Sequence, residues 1–369
     1  MSAPAPRPYA LVAELSHRCP LHCSYCSNPV ELVRASRELD GATWARVLAE
    51  ASDLGALQVL LTGGEPLLRP DLEEIVAAAR ERELYATLIT SGVPLSSARL
   101  DALCRAGLDA VQLSFQAGDA SGDAVAGARV YARKLEVAGW VKERDLPLTV
   151  NVVVHRHNVE RIAEVIALAE RLRADRLELA TVQFVGFANA NRSDLRPGAA
   201  ALQRMRAEAF AARERLAGRM EVVVVAPDER SDAPVACMDG WASRYIVVAP
   251  DGVALPCHAA RMLPLPFASV RDRPLRWIWQ ESPAFQAFRG EAWMPDPCRT
   301  CERRAIDHGG CRCRAFLAWG DPAAPDPACT RAVPLAPPAA AAGPAVRRVN
   351  AGDRDLGDPR AGALGVTRR

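Results

Sequence analysis

The 369-residue sequence predicts an α/β protein. A partial (β/α)6 TIM barrel is expected over 1–227, a cysteine-rich domain over 228–330, and a tail over 331–369. Three observations predict this. Apolar, strand-like runs alternate with helical patterns from residue 9 to about 227, and such alternation implies a parallel sheet covered on both faces or curled into a barrel. Residues able to do chemistry fall at the C-terminal ends of those runs, where barrels carry their sites. Seven of the eleven cysteines follow residue 230, where the elements become short.

Strands are expected at 9–15, 58–63, 85–90, 110–116, 148–154 and 177–183, with helices near 43–54, 71–82, 97–106, 124–143, 159–172 and 199–217. Thr43 and Asp71 are candidate N-caps, and Pro197-Gly198 introduces the sixth helix. Met220–Pro227 reads as a strand leaving the barrel. Tyr245–Leu255 reads as a hairpin turning at Pro250-Asp251-Gly252. Short helices follow at 275–279 and 284–288. Beyond Arg331 the chain is Ala, Pro, Gly and Arg without apolar period, a composition that cannot bury a core and is expected to be disordered.

Composition excludes several classes. Half the residues are apolar and 24% are charged, as in ordinary globular domains. Net charge is +2, and the tail holds seven Arg against three Asp, so the rest is slightly acidic and has no footprint for nucleic acid. No apolar run reaches the length of a membrane span, and the first residues lack the apolar core of a secretory signal. Eleven cysteines in that context point to metal ligation in a reducing, cytoplasmic compartment and not to disulfides.

The densest chemistry lies in Cys19-Pro-Leu-His-Cys23-Ser-Tyr-Cys26, directly after the first strand. Three thiolates can hold three corners of a [4Fe–4S] cube, leaving one iron open to a substrate. A zinc knuckle completed by His17 or His22 is the alternative. Gly63-Gly64-Glu65-Pro66 closes the second strand; its glycines permit close backbone approach to a ligand, and Glu65 offers an acceptor for an ammonium. Gln112, Ser114 and Gln116 alternate, so they share a face expected to look into the barrel. Asn151, polar within an apolar strand, is expected to do the same. His155 and His157 follow the fifth strand; as a rule such histidines cap or face solvent, and His155 is held as a catalytic candidate. Cys104 sits in a helical pattern with Leu100, Leu103 and Leu108 and reads as an inert packing residue.

The cysteine triplet, with Tyr25 before its last member, and the Gly63–Pro66 turn resemble the signature of radical S-adenosylmethionine (radical SAM) enzymes. The resemblance implies a [4Fe–4S] cluster on Cys19, Cys23 and Cys26. It implies SAM held near Tyr25, Gly63, Gly64, Glu65 and Pro66, with Ser114 and Asn151 as plausible contacts. The later cysteines resemble a SPASM domain: Cys237, fourteen residues, Gly252, four residues, Cys257; then Cys298-Arg-Thr-Cys301, Asp307, Cys311-Arg-Cys313 and Cys329. Asp307 stands where that pattern has a cysteine, which is the form seen in the radical SAM family of pyrroloquinoline quinone biosynthesis. By position, Cys237, Cys257, Cys311 and Cys313 would hold one auxiliary iron–sulfur cluster, [2Fe–2S] or [4Fe–4S]. Cys298, Cys301, Asp307 and Cys329 would hold a second. Only Cys104 is left over. A pair of zinc-ribbon sites is the competing reading.

Likeness to that family runs from about residue 9 to 330 and includes Leu88-Ile-Thr-Ser-Gly-Val93, Val111-Gln-Leu-Ser-Phe-Gln116 and Pro256-Cys-His-Ala-Ala260. It implies an enzyme that joins a glutamate and a tyrosine of the small peptide PqqA by a carbon–carbon bond. The implied partners are a PqqD-like peptide chaperone and a flavodoxin-type or other electron donor, and Asp307 is a candidate for tuning electron flow. The sequence departs from the family at Phe184-Val-Gly-Phe187, Glu229-Arg230, Asp239 and His308. Another SPASM peptide maturase, forming a thioether or oxidising a residue, is the alternative, and a non-catalytic iron–sulfur electron carrier a third.

Overall fold

The computed structural model describes residues 5–225 and 234–331. The tail expected to be disordered, the Glu229-Arg230 departure and the boundary drawn at 227 lie outside the described residues.

The N-terminal part alternates as the apolar runs require: β1 (Ala10–Ser16), α1 (Gly41–Asp53), β2 (Gln58–Gly63), α2 (Leu72–Glu81), β3 (Tyr85–Thr90), α3 (Ser97–Ala106), β4 (Ala110–Phe115), α4 (Gly122–Ala126), α5 (Tyr131–Glu143), β5 (Leu148–Val154), α6 (Ile162–Arg171), β6 (Arg176–Thr181), α7 (Gly186–Ala190), α8 (Arg192–Leu195), α9 (Ala199–Arg215) and β7 (Glu221–Val225). Then come β8 (Tyr245–Val248), β9 (Ala254–Leu255), α10 (Leu275–Gln280), α11 (Pro283–Gln286), α12 (Arg304–Asp307) and α13 (Arg312–Trp319). One sheet runs β7-β6-β5-β4-β3-β2-β1-β8-β9, parallel throughout except for the β8–β9 hairpin. Among the described residues its two ends do not pair, so the barrel is open there.

Through the middle of β1 to β6 buried side chains alternate with half-buried ones. The helix-facing layer holds Leu11, Leu61, Leu88, Val111, Val150 and Leu177 in one apolar core. Gln112, Ser114, Asn151 and Glu178 take the other face, as the alternation predicts, and ladder register places Ser114 beside Asn151 and Asn151 beside Glu178.

Five details differ from the sequence reading. The strand expected to leave the barrel, β7, pairs in parallel with β6 and so extends the sheet; an apolar run does not reveal its partner. β8, from beyond the expected boundary, pairs in parallel with β1 and supplies hydrogen bonds that a buried strand would otherwise lack. The helix expected over 124–143 is broken at Gly127, whose φ of +73° ends α4, and the Asp123 carboxylate accepts from the Val130 and Tyr131 N–H groups to begin α5. Asp40, not Thr43, caps α1 by accepting from the Thr43 N–H. Asp71 does precede α2, but its carboxylate pairs with Arg69 and makes no cap bond.

Candidate functional site

The cysteine loop leaves the C-terminal end of β1 and is pinned by main-chain contacts. Gly63 has a φ of +136°, and a Cβ there would stand 2.3 Å from the Ser16 carbonyl oxygen; one on Gly64 would stand 2.3 Å from that of Arg18. The Gly64 N–H donates to Ser16 O at 2.5 Å and the Glu65 N–H to Arg18 O at 2.7 Å. These glycines therefore admit the cysteine loop itself to the end of β2. On its far side the loop is held by Ala188 N–H donating to Cys26 O (3.0 Å) and by the Asn191 amide donating to Ser24 O (3.0 Å). The Phe184–Phe187 departure thus adjoins the segment that supports Cys26. Phe187 is buried, and the Arg192 guanidinium lies over the Phe184 ring.

Glu65 is fully buried, and its carboxylate is filled by its own chain. Oε1 accepts from Leu67 N (3.2 Å) and Thr90 Oγ1 (2.7 Å); Oε2 accepts from Ser91 N (2.9 Å) and Ser91 Oγ (2.5 Å). Burial raises its pKa and the four donors oppose that shift. A carboxylate has about four acceptor positions. The acceptor expected to meet an ammonium is therefore occupied tying β2 to β3, and Pro66 behind it is buried.

Cys19 and Cys23 are buried and Cys26 half-buried. Tyr25 stacks on His155 with centroids 5.6 Å apart. Burial, then the Cys23 sulfur, holds the Tyr25 phenol well above its ordinary pKa, so it stays a proton donor. His155 is wholly buried; its Nδ1 accepts from the His157 N–H, and burial pulls its pKa to about 4, which leaves it a neutral wall under Tyr25. His157 is exposed beside Asp194.

In the second field, Cys257 Sγ and Cys313 Sγ lie 3.9 Å apart. Hydrogen bonds from Cys237 and then Cys313 pull the Cys311 thiol down, while that to Cys311 pushes Cys237 up. Four thiols thus converge. Cys298, Cys301, Asp307 and Cys329 line one cavity of about 210 Å³. Asp307 is buried there and accepts from the Gly309 N–H at 2.9 Å. His258, next to Cys257, hydrogen-bonds through Nε2 to Gln183 Oε1 at 2.9 Å, holding this field against the end of β6.

Three buried charged residues beside the cysteine fields escaped the sequence reading. Lys134, on α5, is 1% exposed and reaches the cysteine loop's surroundings; it occupies the same helical stripe as Val137, Ala138 and Val141, and a lysine on an apolar stripe was the available signal. Arg312 is buried and acts electrostatically on Cys311, Cys298 and Cys237, members of both later sets. Asp326 accepts from the Cys311 N–H at 2.6 Å and pairs with Arg314. Nothing in the spacing marks these two.

Residues 13–169 match the radical SAM superfamily and residues 237–302 the SPASM iron–sulfur cluster-binding domain. A PqqA peptide cyclase of Streptomyces rochei is 50% identical over 324 residues, 87% of this chain and 89% of that protein. One of Gluconobacter oxydans is 48% identical over 333 residues, covering 89% and 92%. Among solved structures, Streptococcus suis SuiB bound to S-adenosylmethionine has a similar fold (TM-score 0.73, 21% identity, covering 88% of this chain and 77% of that one).

Glu65→Gln places an amide NH2 against a backbone N–H in either orientation, of Leu67 or of Ser91, so it should destabilise the protein by about 1–3 kcal/mol. Urea unfolding checks this; an unchanged midpoint would show that the four bonds do not hold the turn.

Proposed function

The chain belongs to the PqqA peptide cyclase family of radical SAM/SPASM enzymes, and on that premise we propose that it joins a glutamate and a tyrosine of a PqqA-like peptide by a carbon–carbon bond. It is a radical SAM enzyme of pyrroloquinoline quinone biosynthesis acting on the PqqA precursor, with SAM, a [4Fe–4S] cluster and auxiliary iron–sulfur clusters as cofactors. No helix among the described residues is long and apolar enough to cross a membrane. We place the enzyme in the cytoplasm, with a PqqD-like chaperone presenting the peptide and a flavodoxin-type donor supplying electrons.

The donor sets suit these groups: soft thiols dominate each set, with Cys19, Cys23, Cys257 and Cys313 buried and the other thiols half-buried. Cys19, Cys23 and Cys26 would hold the SAM cluster and leave one iron open. Cys237, Cys257, Cys311 and Cys313 would hold the first auxiliary cluster, with Cys298, Cys301, Asp307 and Cys329 holding the second. Bound together, a reduced cluster and SAM supply one-electron cleavage of the sulfonium and hence hydrogen abstraction from the peptide. Ser114 and Asn151, adjacent on the inner face, would orient SAM.

The cross-link removes two hydrogens from the peptide. One leaves as an atom; the other must leave as a proton and an electron. The observation that carries this reading is the His258–Gln183 hydrogen bond. It keeps the loop of Cys257 at the end of β6, on the same rim as the cysteine triplet, so an electron acceptor would border the opening where the peptide is oxidised. Arg312 offsets the negative charge of the sulfur ligands on either side of it.

Incubation with PqqA, SAM, reductant and a PqqD-like chaperone should give a peptide lighter by two hydrogens, with fragmentation locating a Glu–Tyr link. A thioether or an oxidised residue instead would point to another SPASM maturase, and no 5′-deoxyadenosine at all to an electron carrier. Asp307 gives the second auxiliary cluster a harder, less electron-donating ligand than a thiolate. Asp307→Cys should therefore make that cluster's potential more negative and slow cross-linking, and equal potentials would remove Asp307 from any tuning role.

A further inference from the structure

Lys134 is an odd residue to find beneath an apolar barrel. It is 1% exposed, and its ammonium donates to Ser114 O at 2.7 Å and to Gln116 Oε1 at 2.6 Å. Gln116 is itself buried, and its Nε2 lies 2.9 Å from the Tyr25 hydroxyl oxygen. Tyr25 in turn is hydrogen-bonded to the Cys23 sulfur. Four side chains from α5, the end of β4 and the cysteine loop thus form one chain of contacts.

The direction of every bond in that chain is fixed by its first member. An ammonium can only donate, so the Gln116 amide must turn its oxygen to Lys134 and its NH2 to Tyr25. An amide NH2 can only donate, so the Tyr25 oxygen accepts and its own proton is free to point elsewhere. The hydrogen-bond partner it meets there is the Cys23 sulfur, an acceptor. Without Lys134 the amide could flip, Tyr25 could donate to Gln116 Oε1, and the sulfur would lose this donor.

We infer that Lys134 is a positioning residue which, through Gln116, commits the Tyr25 hydroxyl to donate a hydrogen bond to the Cys23 sulfur. This rests on the assignment of Cys19, Cys23 and Cys26 to the SAM cluster. Hydrogen bonds to ligand sulfur stabilise the reduced, more negative cluster, and so raise its potential. The relay makes the cluster easier to reduce before SAM is cleaved.

The test is a set of EPR-monitored redox titrations on the full-length, reconstituted protein, following the signal that changes when SAM is added. Tyr25→Phe and Gln116→Leu should each make that cluster's midpoint more negative, and combining them should add nothing further. Lys134→Met should also lower the midpoint, partly by loss of a nearby charge, and its effect should shrink in the Tyr25→Phe background. Additive shifts for Tyr25→Phe and Gln116→Leu, or an undiminished Lys134→Met shift without the hydroxyl, overturn the relay and leave a plain charge effect. Should Lys134→Met fail to take up a cluster, the Tyr25 and Gln116 pair decides alone. A wild-type protein with no SAM-responsive signal overturns the assignment of the triplet and the relay with it.

Discussion

The cysteine loop is fixed by backbone lying against backbone. Gly63 and Gly64 meet the main chain of Ser16, His17 and Arg18 so closely that no side chain fits at either position. The strands beneath keep that contact in register: β1 and β2 pair along their length, with a single irregularity at Glu14–Ser16 where β1 turns away into the loop. Glu65 then knots the same end of β2 to Thr90 and Ser91 at the end of β3. Three consecutive residues thus set where the thiols stand relative to the inner face of the sheet.

A buried carboxylate and a buried ammonium near the same loop are costly unless their hydrogen bonds are complete. Here every acceptor position of Glu65 is filled, and Lys134 places two of its three N–H groups. Glu65 takes four donors, and Lys134 finds a main-chain carbonyl and an amide oxygen. The later cysteine field repeats the pattern, with Arg312 donating to Pro322 O and Ala324 O, and Asp326 receiving the Cys311 N–H. Such networks hold a loop of thiols in one geometry, which a cluster-binding site needs more than it needs apolar packing.

Much of this was legible from residue types. The six βα units followed from apolar period, and the inward face of Ser114 and Asn151 followed from alternation within strands. Both cysteine fields were visible as spacing. What the sequence hid were relations between distant segments. A run of valines does not say that β7 joins β6, nor does a hairpin announce that β8 will pair with β1. Gly63 and Gly64 were read as permitting close approach to a ligand; the sequence did not show that they also lie against residues nearly fifty positions earlier. Glu65 was legible as important but not as saturated, because its partners lie on another strand. Lys134 stood on an apolar stripe in plain view, and its meaning emerged only once Gln116 and Tyr25 were beside it.

The central claim is that Cys19, Cys23 and Cys26 leave one iron free for SAM at the C-terminal end of the barrel. Electron–nuclear double resonance on the reduced protein, with SAM isotopically labelled at its amino and carboxylate groups, tests it most directly. The account predicts resolved couplings from both groups to the cluster, lost when the three cysteines are replaced by alanine. A reduced cluster at the triplet with no coupling to either group would contradict it.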